Sequence, residues 1–278
     1  MQGGGGITVQ VDVADGARLT SLTSGGREWL APGGPRLPGV FVQAGSGGWD
    51  EVVPTVAACT LADGTALADH GDAWQTEWML DSSDDTHVQT SVRLASLPVS
   101  LTRRIEATST GIRLSYTATT GAPVPVPLAW CAHPLFAAEA GTRLVLAGPE
   151  ARLIEEYPHR GRARDWPDGV GATAIKAFTA GARSSAAVVH ANGDILTLSW
   201  DSSLLPYLGL YWDGGEFTDR PVVAIEPSTA LGDSAARALA EGRIRMIGPG
   251  RPFQWWLDLT ATGSPESISA AAAEWPHD

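Results

Sequence analysis

Only two cysteines, Cys59 and Cys131, stand in a chain of 278 residues. Two thiols do not make a disulfide scaffold in a chain of this size. Reduced thiols and a cytoplasmic location are the expectation, although an exported protein trimmed of its leader fits the same count. Basic charge is scarce as well. Lys176 is the sole lysine, and the net charge is −12. An acidic surface repels phosphate backbones, so neither nucleic acid nor an anionic membrane is an expected partner. No apolar run is long enough to span a bilayer. The opening Met1-Gln2-Gly3-Gly4 lacks the basic and apolar segments of an export signal.

Familiar catalytic signatures are missing too. Gly45-Ser46-Gly47-Gly48 leads into Trp49-Asp50 and not into Lys-Ser/Thr, which excludes a P-loop. There is no G-x-G-x-x-G opening a helix, no H-E-x-x-H, no C-x-x-C and no G-x-S-x-G. Dinucleotide binding, a zinc centre and a serine-hydrolase elbow therefore have no support, and no metal or cofactor is expected.

What is present is period-two alternation. Ile7, Val9, Val11 and Val13 alternate with polar residues, as do Val88, Thr90, Val92 and Leu94. Val99–Ile105 and Ile112–Tyr116 flank a turn at Ser109-Thr110-Gly111, and Ala191-Asn192-Gly193-Asp194 separates two further runs. Both read as hairpins. Phe253, Trp255, Leu257 and Leu259 form a last alternating strand. Helical signals are confined to Asp233–Ala240 and to Ser264-Pro265-Glu266 followed by Ile268–Ala273. Pro/Gly-rich pieces such as Ala31–Gly39 are loop-sized. The expectation is an all-β protein, a large antiparallel β-sandwich forming a single domain over residues 1–278. Eleven tryptophans against four tyrosines suit either core packing or stacking on sugar faces.

Four segments hold the candidate chemistry. Gly47-Gly48-Trp49-Asp50-Glu51 suggests a tight turn presenting polar groups, or a solvated acidic loop. Asp69-His70-Gly71-Asp72-Ala73-Trp74 sets a histidine between an acid and a glycine, where a local hydrogen bond could orient it; a surface-turn histidine is the plain alternative. In Trp130-Cys131-Ala132-His133-Pro134, the proline disfavours helix and suggests a strand end holding either a catalytic or a capped core histidine. Val222-Val223-Ala224-Ile225-Glu226-Pro227 puts a carboxylate in an apolar run, which is costly unless it is paired or functional. Tyr211-Trp212-Asp213-Gly214 adds a second acid beside aromatics.

In this order the segments resemble the aldose 1-epimerase (galactose mutarotase-like) superfamily, from the first strand to Leu259. His70-Gly71 is similar to the family's H-G motif, His133-Pro134-Leu135-Phe136 to its H-P-Y-F motif, and Ile225-Glu226-Pro227 to its E-P motif. Gly248-Pro249-Gly250 resembles its C-terminal P-G-E turn. The resemblance implies a mutarotase-like isomerase acting on a small carbohydrate without cofactor, with His133 as acid and Glu226 as base. It implies substrate contacts from His70, Asp213, Trp49, Glu51, Trp74 and Trp212. Trp74 and Ser46 stand where the hexose-6-phosphate branch carries phosphate-holding arginines, so a neutral sugar is expected. The Asn-Arg pair of the galactose branch has no clear counterpart. Two other classes fit the same segments: a non-catalytic carbohydrate-binding sandwich, and a different acid–base sugar lyase or isomerase. Burial is expected to raise the Glu226 pKa towards that of a useful base. Oligomeric state is not set by the sequence.

Overall fold

The structure is a computed structural model that describes residues 1–43, 46–148, 152–167 and 169–263. The expected helix at Ser264–Ala273 lies outside the described residues. Two large antiparallel sheets dominate.

The eight-stranded sheet is built from hairpins and long-range pairs. Val99–Ala107 pairs with Gly111–Thr120 through the expected turn, and Ser185–Val189 pairs with Asp194–Trp200 through the other. Phe253–Gly263 lies between Gly111–Thr120 and Asp194–Trp200. Alternation here sorts the faces cleanly. Val99, Leu101, Arg103 and Ile105 are buried while Ser100, Thr102, Arg104 and Glu106 are half-buried. That is the signature of a sheet with one face on a core and one in water.

The ten-stranded sheet differs. Along its centre run Gly48–Val52, Cys131–Ala137, Val222–Ser228, Tyr207–Asp213 and Ile175–Thr179, in that spatial order. Every residue of Gly48–Val52, Val222–Ser228 and Ile175–Thr179 is buried. One face meets the hydrophobic core shared with the eight-stranded sheet, including Trp49, Phe136, Ala177, Leu210, Val223 and Ile225. The other is covered by loops. Period two then assigns each strand residue to the core or to the space under the loops.

Little helix is present. Ala235–Ala240 forms the one α-helix of the described residues, with Ser234 accepting from the Arg237 N–H as its N-cap. No described helix is long and apolar enough to cross a membrane.

Candidate active site

His133 and Glu226 come together through strand register. Cys131 pairs with Ser228 and Phe136 with Val223, so the same register sets His133 opposite Glu226. No residue of 132–135 is paired to the Val222–Ser228 strand. Pro134 and Pro227 fall within that stretch, and neither has an N–H to give to a ladder. Pro134 therefore lies inside its strand and not at the strand end that the sequence suggested, whereas Pro227 is the penultimate residue of Val222–Ser228, next to the expected end. Alternation turns His133 and Glu226 to the loop-covered face, while Phe136 and Ile225 join the core. His133 Nε2 lies 3.8 Å from Glu226 Oε1. Across the other edge Gly209 is paired with Glu226. A Cβ at Gly209 would stand 3.1 Å from Glu226 Oε2, so the missing side chain leaves the carboxylate its space.

His70 enters from a loop. Its φ is +56°, and Gly71 follows at +73°. A Cβ on Gly71 would meet the Val53 carbonyl oxygen at 2.0 Å, so only glycine fits this left-handed turn. The turn lays the His70 ring on Phe41, with centroids 3.8 Å apart, and sets it edge-on to His133 at 5.4 Å. Asp69 Oδ2 lies 2.9 Å from His70 Nδ1, the local hydrogen bond that the sequence suggested.

These three residues line a cavity of about 220 Å³ together with Phe41, Tyr157, Lys176, Tyr211, Phe217, Thr218 and Asp233, among others. Lys176 is the addition with the largest chemical consequence. Its Nζ lies 2.5 Å from Glu226 Oε2 and 3.0 Å from Asp233 Oδ1. Glu226 thus has one oxygen held and one free. Oε1 is buried, has no hydrogen-bond partner among the described residues and faces His133.

The charge states follow from these contacts. Burial pushes the Glu226 carboxyl up, but Lys176, with His133 and Cys131 adding to it, pulls it below its ordinary value. The expected upward shift is therefore reversed, because burial comes with a cation attached. Burial pulls Lys176 down, yet Asp233 and Glu226 hold it well above the usual lysine range. Burial drives His133 down to about 3, against the pull of Glu226. Its Nδ1 is buried without a partner among the described residues, none of whose carboxylates supports the ring from behind.

The other expected contacts are placed elsewhere. Asp213 does not face the cavity. Its carboxylate accepts from the N–H groups of Gly215, Glu216, Phe217 and Thr218 at 2.7–3.1 Å, and from the Thr218 hydroxyl at 3.1 Å. Burial raises its pKa, but these donors bring it below the ordinary value. Asp213 therefore folds the loop that presents Phe217 and Thr218. Asp213→Asn should cost about 2–3 kcal/mol, the scale of charge-assisted hydrogen bonds. Urea unfolding checks this, and an unchanged midpoint would show the cradle to be dispensable.

Glu51 and Trp49 point away from the cavity into the space between the sheets, because Asp50 between them takes the other face. Trp212 likewise goes to the core, edge-on to Trp166 at 5.6 Å, since its neighbour Tyr211 takes the cavity face. Trp74 is buried outside the cavity lining, its ring edge-to-face with that of Phe41 at a centroid distance of 5.1 Å. Among the described residues the aromatic lining includes Phe41, Tyr157, Tyr211 and Phe217 and no tryptophan. Lys176 carried a readable signal, a lone lysine inside the apolar run Ile175–Phe178. Asp233 did not, since Gly-Asp-Ser before a helix reads as ordinary capping.

No protein-family model matches the chain, and no curated protein does. Solved structures do match. An Escherichia coli K12 protein provisionally described as an aldose 1-epimerase superposes with a TM-score of 0.74 at 16% identity, covering 95% of this chain and 98% of that one. A galactose mutarotase-like protein from Lactobacillus casei ATCC 334 gives 0.70 at 18%, covering 92% and 97%. A Klebsiella pneumoniae protein, also provisionally an aldose 1-epimerase, gives 0.75 at 15%, covering 96% and 80%. Sequence identity this low speaks to architecture, and on that evidence the chain has the all-β fold of galactose mutarotase-like proteins.

Proposed function

We propose that the protein interconverts the α and β anomers of a neutral aldose by acid–base opening of the sugar ring. The observation that carries this is the free Glu226 Oε1, buried, unpartnered and 3.8 Å from His133 Nε2. A buried acceptor without a donor is costly, and a sugar hydroxyl supplies that donor.

In this reading Glu226 is the base. Lys176 keeps it ionised, so it takes the proton of the anomeric hydroxyl at neutral pH. His133 faces it across the gap. Burial brings its pKa down to about 3, which leaves the imidazole neutral at pH 7. It therefore acts as a neutral hydrogen-bond donor through Nε2, the tautomer favoured by a carboxylate on that side. His70 borders the same space and is braced by Asp69 and Phe41. The aromatic walls suit sugar C–H faces.

Neutral sugars are favoured over phosphorylated ones for a reason specific to this cavity. Among the described lining residues the one lysine is committed to two carboxylates, and no arginine is present. A phosphate dianion needs unpaired cationic donors.

Polarimetry of freshly dissolved pure anomers tests the proposal. At least one neutral aldose should relax faster with the protein than in buffer. A sugar that binds without any gain in rate would mark a binding module instead.

A further inference from the structure

Ring opening moves two protons, and the group nearest the Glu226 carboxylate is Lys176 Nζ at 2.5 Å, with His133 Nε2 farther off at 3.8 Å. We propose that Lys176 is the catalytic acid of the cavity, giving the ring oxygen its proton as Glu226 takes the proton of the anomeric hydroxyl. This rests on the anomer-exchange reading above.

Position is the first support. Lys176 lies on the cavity face of Ile175–Thr179, whose neighbours Ile175 and Ala177 belong to the core. Its ammonium is the only lysine or arginine group among the described lining residues. It touches Glu226 at 2.5 Å, whereas His133 stands 3.8 Å from the same carboxylate. Glu226 is thus neutralised first by Lys176, and the imidazole is left in apolar company, edge-on to Phe41 at 5.1 Å.

Coupling is the second support. With Glu226 ionised, Lys176 holds its proton firmly, because two carboxylates flank it. When Glu226 Oε1 accepts the anomeric proton, Lys176 loses the charge of its nearest anion. Its hold on its own proton weakens at the moment negative charge develops on the ring oxygen. Donor strength is therefore realised in the transition state and not in the resting site. Asp233, 3.0 Å from Lys176 Nζ, keeps the side chain in place.

The step balances. The O1–H bond breaks and its proton goes to Glu226. The O1 electron pair forms the carbonyl with C1. The C1–O5 bond breaks, its pair goes to O5, and O5 takes a proton from Lys176 Nζ. The products are the open-chain aldehyde, a neutral carboxyl and a neutral amine. After rotation about C1–C2, closure on the other face of the carbonyl runs both transfers backwards. No other reactant is needed.

The test is the pH profile of wild-type anomer exchange, corrected for buffer, together with Lys176→Arg. An acid of high proton affinity and an ionised Glu226 give a kcat/KM that is flat from about pH 5.5 to about pH 9. A charged His133 acting as the acid gives a fall of about tenfold per pH unit over that range, which would overturn the proposal. Arginine keeps the positive charge but does not release a proton. Lys176→Arg should lose about a hundredfold in turnover while still binding sugar, and exchange at the wild-type rate would also overturn the proposal. Where that variant does not fold, the wild-type profile decides alone. A wild-type protein that speeds no aldose removes the anomer-exchange reading and this one together, whereas a falling profile removes only the role of Lys176.

Discussion

Glu226→Gln should cut the rate of anomer exchange by about a hundredfold or more, the scale of a general base. Glutamine keeps the size of the side chain and can still accept from Lys176 at the position of Oε2. What it lacks is a group that takes up a proton at the position of Oε1, the oxygen that has no hydrogen-bond partner among the described residues. Sugar affinity should change much less, because ground-state contacts come from hydroxyl partners and aromatic walls. The pattern sought is a fall in kcat with KM nearly unchanged. Gly209 leaves room for either side chain, so the variant should fold. Turnover at the wild-type rate would make Glu226 a structural partner of Lys176 and nothing more.

The second large effect concerns stability. Glu51→Ala should destabilise the protein by about 3–5 kcal/mol, the cost of stranding a buried charge. Glu51 Oε1 accepts from Arg103 Nη1 at 3.0 Å and from the Tyr116 hydroxyl at 2.9 Å, and Oε2 accepts from the Trp130 indole at 2.7 Å. Arg103 is fully buried, 5.4 Å over the Trp78 ring. Without Glu51 its charge has no carboxylate partner among the described residues. Against a total stability of roughly 5–15 kcal/mol this is a large fraction. Urea unfolding should show a much earlier midpoint, while the folded fraction keeps its affinity for sugar. A wild-type midpoint combined with lost sugar binding would instead place Glu51 in the substrate site, as the sequence suggested.

Glu51 shows where sequence reasoning stopped. Trp49-Asp50-Glu51 reads as a polar cluster, but whether a strand residue faces a cavity or a core depends on which of two faces it takes. Asp50 took one face, where Arg36 meets it at 2.5 Å, and Trp49 and Glu51 were committed to the other. The same parity sent Tyr211 to the cavity and Trp212 to the core. Asp213 shares parity with Tyr211, but the turn after it captured its carboxylate. His133 and Glu226 were readable because a strand proline and a carboxylate in an apolar run are anomalies that local chemistry does not explain. Lys176 in Ile175–Phe178 is an anomaly of the same kind. The fold class was readable from alternation and hairpin turns. Sheet order was not, since Gly48–Val52, Cys131–Ala137 and Val222–Ser228 lie side by side from distant parts of the chain, and no local signal encodes such pairings.

Magnetisation-exchange NMR on the anomeric protons of neutral aldoses tests the central claim most directly. It reads α-to-β exchange at equilibrium and shows in the same spectrum whether any other bond changes. The account predicts that wild-type protein produces exchange between the two anomeric signals of at least one aldose, with every other carbon unaltered, and that Glu226→Gln abolishes it. Binding of an aldose with no exchange above buffer, or new signals from chemistry beyond the anomeric carbon, would contradict it.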